Sequence, residues 1–390
     1  MSIFFIISYI SDIFHNADIF IDKKQEIPHN LFDKNPYFCN SYTLFVSIFY
    51  TMNRLFLILQ LFLLTILLSP APATAYRQFH QLTTSQGLGD NTIYTVIQDS
   101  LGFIWIGGID GLYRYDGQQL TAIRKNFFQP TGRGNMVTSI TEDRTRQRLW
   151  CVVNQQLFSV HLKTDSITQE CVGNTQYAFR HVLSDKKGRI WLTLINGKVA
   201  LFHPESRQIQ EWTQISALRH TNVFHIRENN NGTLDFLTSH NGIYRYDTNS
   251  GHIWHFPFHE CRAIVSLTDS QGNLWLGTLH GLYKWDTEKN EFRSIPLGNN
   301  QYKAVFTIND LTEQTPGIIC AGTDSGLFFY NDHHQTYEHY TAAYAQTGAL
   351  NCNYINSLYT DREHNLWVST YFGGVNYTLS LIHISEPTRR

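Results

Sequence analysis

The chain has 390 residues, 42% of them hydrophobic, 14% aromatic and 16% charged. That balance belongs to a folded chain with a sizeable core and excludes a disordered one. A formal net charge of -2 without long basic runs excludes the electrostatic footprint of a nucleic-acid binder.

At the N-terminus, Met52-Asn53-Arg54 is a short basic start. An apolar run follows from Leu55 to Leu68, broken by Gln60 and Thr65, and then the small residues Ala71-Pro72-Ala73-Thr74-Ala75. This is the grammar of a secretory signal over 52–75 with cleavage after Ala75. The run falls short of the roughly 20 residues that span a bilayer. A signal is read only at an N-terminus, so residues 1–51 are expected to be an over-called leader.

The next feature is repetition. Asp99-Ser100-Leu101-Gly102-Phe103-Ile104-Trp105-Ile106-Gly107 returns as Asp269-Ser270-Gln271-Gly272-Asn273-Leu274-Trp275-Leu276-Gly277. Aligned on the tryptophan, the copies place Trp105, Trp150, Trp191, Phe236, Trp275, Cys320 and Trp367 in one slot, at steps of roughly 40 to 50 residues. That is the period of propeller blades, each a four-stranded sheet unable to bury its faces alone.

The first copy shows the grammar. Thr92 to Ile97 is β-branched and aromatic, fitting an inner strand. Asp99 to Gly102 is a turn, Phe103 to Ile106 a second strand, and Gly107 to Gly111 another turn. Leu112 to Tyr115 makes a third strand and Gln119 to Arg124 a fourth. Similar third strands recur at Ile243–Asp247, Leu282–Asp286 and Leu327–Asn331. Slot tryptophans and third-strand aromatics are expected to pack between blades.

Seven slots predict an all-β fold, a seven-bladed β-propeller of four-stranded antiparallel blades over 76–378. The seventh copy, Tyr354 to Tyr377, lacks a fourth strand of its own. Tyr76 to Leu82 is expected to supply it and to close the ring, removing an exposed edge. From Leu379 to Arg390 the grammar stops, and this stretch is read as a non-native tail. Cys39 lies in the leader. Of the other five cysteines, Cys151 and Cys320 are read as small buried apolar residues.

The string Phe79-x-x-Leu82-Thr83-Thr84-Ser85-Gln86-Gly87-Leu88-x-x-Asn91-Thr92-Ile93-Tyr94, continuing through Gln98-Asp99-x-x-Gly102-Phe103-Ile104-Trp105-Ile106-Gly107 to Gly111-Leu112-x-Arg114-Tyr115-Asp116-Gly117, resembles two-component regulator propeller domains. The resemblance extends over residues 79–377, with the Phe236 and Cys320 copies degenerate. It implies the periplasmic sensor part of a hybrid two-component receptor, an inner-membrane protein. The implied partners are an oligosaccharide ligand, a second propeller and histidine kinase elsewhere in the same protein, and a second receptor copy in a homodimer. It implies no cofactor and no enzyme activity in this portion, kinase activity belonging to the whole receptor.

In an antiparallel blade the turns between second and third strands share a rim with the loops that lead into each inner strand. Those turns carry Asp110, Asn196, His240, His280, Asp324 and Tyr371, and the lead-in loops carry Asn91, Asn135, Asn222 and Asn353. Such groups hydrogen-bond sugar hydroxyls or stack on sugar faces, so the six turn residues are the candidate ligand contacts. Asn and Asp also favour turns for local reasons.

Other patterns suggest chemistry less well. His252, His255, His259 and Cys261 crowd one stretch, but strand geometry sends His252 and His255 to opposite faces and Pro257 interrupts the run, so no metal site is expected. Asp99, Asp185, Asp269 and Asp361 recur at one turn, which turn chemistry explains better than catalysis. A propeller-fold polysaccharide lyase or glycoside hydrolase is the alternative from another class, and a non-catalytic docking scaffold is a third.

Overall fold

In the computed structural model, residues 77–123, 135–170, 177–298, 306–343 and 346–380 are described, together with Arg54, Phe56 and Gln60. Arg54, Phe56 and Gln60 have helical backbone. The rest of the 52–75 signal segment, residues 1–51, Tyr76, Arg124, Cys171 and residues 381–390 lie outside the described residues. Among the described residues no helix is long and apolar enough to cross a membrane.

The chain divides into Met1–Ala75 and Tyr76–Arg390. The second unit is a seven-bladed β-propeller of four-stranded antiparallel sheets. Blade one contains Ile93–Gln98, Ile104–Gly108, Gly111–Tyr115 and Leu120–Ala122, in that order across the sheet. Blades two to six repeat this order over 137–169, 179–211, 223–256, 263–295 and 308–340. Blade seven contains Ile355–Thr360, Leu366–Thr370 and Val375–Thr378, and its fourth strand is His80–Leu82. Leu82 faces Val375 and His80 faces Tyr377 in this pairing. The paired segment is shorter than Tyr76 to Leu82 because Phe79 leaves the ladder, its amide donating to Gly348 O at 2.8 Å. Its ring enters the apolar cluster of blade six beside Cys320 and Phe329.

The seven inner strands share an irregularity. Each shifts register between its first and third residues, so the second residue is an extra one: Tyr94, Thr138, Arg180, Phe224, Ile264, Asn309 and Asn356. Such a bulge bends the strand and re-aims side chains. In blade four, Val223 and Ile226 are buried while Phe224 and His225 between them are only partly so. Asn309 and Asn356 use the bulge to reach the next blade, donating through Nδ2 to Ile355 O at 2.8 Å and to Ile93 O at 2.7 Å.

The core lies between blades. Trp105 and Leu112 pack onto Val137, Ile140 and Leu149 of blade two. Trp275 packs onto Ile308 and Phe328 of blade six, and Trp367 onto blade one beside Tyr115. The five slot tryptophans are at most 5% exposed, and at about 25 cal/mol per Å2 their apolar burial dominates each joint. Their indole N–H groups need acceptors, which the repeat aspartates supply. Trp105, Trp191, Trp275 and Trp367 donate to Oδ2 of Asp99, Asp185, Asp269 and Asp361 at 2.7 to 2.9 Å. Trp150 donates to Asp143 at 3.2 Å. The other carboxylate oxygen accepts turn amides, as Asp269 Oδ1 does from Gln271 and Asn273.

Blade four departs from the slot alignment. Trp275 faces Leu267 and Trp105 faces Ile97, each the fifth residue of its inner strand. The corresponding pair in blade four is Arg227 with Asp235, so the slot residue is Asp235 and not Phe236. Phe236 points the other way, 5.0 Å from Trp212 in a stacked contact and 5.8 Å from Trp191. In the slot, Asp235 accepts two hydrogen bonds from Arg245, from Nε at 2.6 Å and from Nη2 at 2.8 Å. A buried bidentate ion pair thus stands where the other blades put an indole.

Candidate functional site

The turns between second and third strands are tied to the lead-in loops by one recurring bond. The amides of Ile109, Asn154, Ile195, Ser239, Leu279, Asp324 and Tyr371 donate to the carbonyls of Thr92, Met136, Ala178, Asn222, Arg262, Thr307 and Tyr354, at 2.8 to 3.3 Å. All seven turns therefore stand on one rim with the lead-in loops, and the aspartate–tryptophan turns stand on the other. The rim also joins blade seven to blade one, where Gly374 N donates to Asn91 O at 2.8 Å.

The six candidate residues are on this rim but differ in what occupies them. Asp110 Oδ2 accepts from Tyr113 OH at 3.0 Å, and that hydroxyl receives Gly89 N, so the carboxylate braces the loop above blade one. Asn196 Oδ1 accepts Lys198 N at 3.1 Å. Asp324 is half-buried and accepts from Ser325 Oγ at 3.2 Å. His240 and His280 are exposed, the first lying where its carbonyl meets His259 Nδ1 at 2.8 Å.

Tyr371 is set differently. It is 39% exposed, with Tyr354 (44%) 5.6 Å away and Phe372 (71%) 4.4 Å away. The neighbouring Tyr94 phenol is pushed up, by burial first and then by Tyr371 and Asp90. Tyr94, Tyr354, Tyr371 and Phe372 form an aromatic platform on the rim of blades seven and one.

Of the lead-in asparagines, Asn91 Oδ1 accepts Thr84 N at 2.9 Å and Asn353 Oδ1 accepts Ala342 N at 2.6 Å, both local tasks. Asn222 and Asn196 line a rim cavity of about 450 Å3 between blades three and four, with Lys198, Trp212 and Arg219. Asn135 is half-buried.

Residues that the sequence left unassigned also matter. Tyr354 and Phe372 complete the platform, and the consecutive aromatics Tyr371-Phe372 in a turn are the signal that could have flagged it. On the inner strands of blades three and four, the His181 and His225 rings are 4.4 Å apart. No spacing rule joins residues on separate blades. The crowded histidines of 252–259 have separate neighbours: His255 Nε2 lies 2.7 Å from Asn241 O with its ring stacked on Tyr244, and His252 meets the edge of Trp254. Cys151, Cys261, Cys320 and Cys352 are free thiols, and burial pushes the Cys320 thiol up to about 12.

Two segments, 87–110 and 349–372, match the family model for the two component regulator propeller. They are the lead-in, inner strand, second strand and rim turn of blades one and seven, the two that build the platform. Among solved structures it is similar to the extracellular domains of BT4673 and BT3049 from B. thetaiotaomicron, each described as part of a hybrid two component system. The first is 20% identical over 78% of this chain and 40% of that one, with a TM-score of 0.64. The second is 18% identical over 77% and 42%, with a TM-score of 0.63. The chain thus spans about 40% of the length of these domains. Virginiamycin B lyase from Staphylococcus aureus is also similar, 14% identical over 78% of this chain and 99% of the enzyme, with a TM-score of 0.61. At these identities the likeness establishes the fold alone. No curated protein gives a significant match.

Proposed function

We propose that this chain is the ligand-sensing propeller of a hybrid two-component receptor, exported to the periplasm, and that its ligand is an oligosaccharide bound at the rim of blades seven and one. The observation that carries the reading is the platform of Tyr94, Tyr354, Tyr371 and Phe372. Three of these aromatics are solvent-exposed on a rim where turn amides, carboxylates and imidazoles also gather. Flat aromatic faces stack on the apolar faces of sugar rings, while Asp110 on the rim turn of blade one offers hydrogen bonds to hydroxyls; Asn196, His240, His280 and Asp324 stand further round the same rim, on blades three to six. Occupancy of the rim is passed to a histidine kinase in another part of the same receptor. That both family-matched segments end on these rim turns supports the reading.

The repeat aspartates do not favour the enzyme alternative, since Asp99, Asp185, Asp269 and Asp361 are engaged by indoles and turn amides on the opposite rim. The test is calorimetric titration of the purified chain with a panel of neutral and acidic oligosaccharides, followed by chromatography of the recovered sugar. Saturable binding with the sugar returned intact is expected. Cleaved sugar would move the reading to a lyase or hydrolase.

A further inference from the structure

The inner strands of blades three and four carry a polar cluster of their own. It contains the pair His181 and His225, the third residues of neighbouring inner strands, whose rings are 4.4 Å apart and tilted by 46°. The Nδ1 atom of each is shielded from solvent and has no hydrogen-bond partner among the described residues. Two buried ring nitrogens left unpaired side by side are unusual, because an unmade hydrogen bond at a buried polar atom is destabilising.

The bulged residues preceding these histidines are Arg180 and Phe224. Arg180 is exposed, and no described residue bonds or ion-pairs with it. Arg262 is also exposed and sits on the same rim, its guanidinium 5.4 Å from the centre of the Phe224 ring. Deeper in, Arg227 is already satisfied by Ser266 O at 2.8 Å and by the carboxylates Asp235 and Asp310. Arg180 and Arg262 thus bring two guanidinium groups, with no ion-pair partner among the described residues, to the strand ends that carry the two potential N–H donors.

We propose that this cluster binds a small oxyanion: a carboxylate, sulfate or phosphate group held by Arg180 and Arg262 and by Nδ1–H of His181 and His225. The chemistry fits each group present. Guanidinium forks match the paired oxygens of an oxyanion, and neutral imidazoles in the Nδ1–H tautomer donate without adding charge. Burial pushes the His181 imidazole down to about 4, and burial, His181 and Arg227 push His225 well down, so both rings are neutral near pH 7. The site lies apart from the aromatic platform and does not depend on the sugar reading.

The test is titration of the purified chain with sodium phosphate, sulfate and acetate at constant ionic strength, followed by side-chain 15N signals of the histidines and by calorimetry. A galacturonic acid oligosaccharide and its neutral methyl ester form a second arm, which separates a free ion from an acidic group on a larger ligand. Saturable shifts of the His181 and His225 signals are expected. Arg180→Ala and Arg262→Ala together should weaken binding by roughly tenfold or more at an unchanged melting temperature, because each lost charge-assisted bond acts on that scale. His225→Gln should weaken binding without abolishing it. Anion shifts that never saturate, or that persist undiminished in the double arginine variant, would overturn the proposal. So would histidine signals that respond to Ni2+ and to no anion, which would make the pair a metal site.

Discussion

At the residue scale, one partnership recurs around the ring: an indole N–H on the second strand and a carboxylate six residues before it, or seven in blade two. Where the tryptophan is absent, the aspartate is absent too. Asn229 stands six residues before Asp235 and Gln314 six before Cys320, while Asp269 and Asp361 stand six before Trp275 and Trp367. Trp275→Ala should destabilise the chain by about 3 to 5 kcal/mol, as deletion of a buried aromatic does. Trp275→Phe should cost less but leave Asp269 short of a donor, a loss of about 1 to 3 kcal/mol. Urea titrations of the two variants check this, and a Trp275→Ala chain with full stability and lost ligand binding would refute the packing role. In blade four the same slot predicts a different outcome. Asp235→Ala leaves Arg245 buried without its carboxylate, so about 3 to 5 kcal/mol should be lost, whereas a surface pair would give almost nothing.

The paired histidines make a pH prediction at the same scale. Folding holds His181 down at about 4 and His225 well below its ordinary value near 6.5, so the unfolded chain binds more protons as pH falls below 6.5. Their contribution to stability is present above pH 6.5 and is lost as pH falls towards 4. Thermal melts at pH 7 and pH 5 should therefore differ less for His181→Gln/His225→Gln than for the unaltered chain.

At the element scale, the N-terminal strand is the test of how the seventh sheet is completed. Leu82 is buried among Val96, Tyr113, Trp367 and Val375. Leu82→Ala should cost about 2 to 5 kcal/mol, as truncation of a core leucine does, and a chain melting at the same temperature would show the strand to be dispensable. Blade number, strand order and the segment that completes blade seven were legible in the sequence because turns and strand residues repeat with a fixed period. Blade four was misaligned by one residue because the reading followed the aromatic, Phe236, and the slot held an ion pair. Its turn, Asn229-Asn230-Asn231-Gly232-Thr233-Leu234-Asp235, keeps the grammar of Asp269 to Trp275, with Gly232 at a left-handed φ of 82° as Gly272 is at 87°. Turn chemistry would have located the slot where side-chain type did not. The inner-strand bulges left no mark in the sequence, since the extra residue ranges from Thr138 to Arg180 and Phe224.

At the scale of the whole molecule, the antiparallel order of seven blades decides which residues can share a face. The placement of Asp110, Asn196, His240, His280, Asp324 and Tyr371 on one rim followed from strand order alone. The platform did not, because the approach of Tyr354 and Phe372 to Tyr371 depends on the packing of two loops far from regular pairing. If the rim of blades seven and one is the sensing face, its exposed aromatics act in binding and contribute little to stability. Leu101 is a matched control, 54% exposed on a turn of the opposite rim. The most direct measurement is the affinity of the purified chain for an oligosaccharide that it binds, compared between Tyr371→Ala/Phe372→Ala and Leu101→Ala. Loss of one stacked aromatic is worth about 1 kcal/mol, so the first variant should bind roughly tenfold more weakly at the same melting temperature, and the second should bind as the unaltered chain does. Undiminished affinity in the platform variant, or a loss confined to Leu101→Ala, would contradict the account and place the sensing face on the other side of the ring.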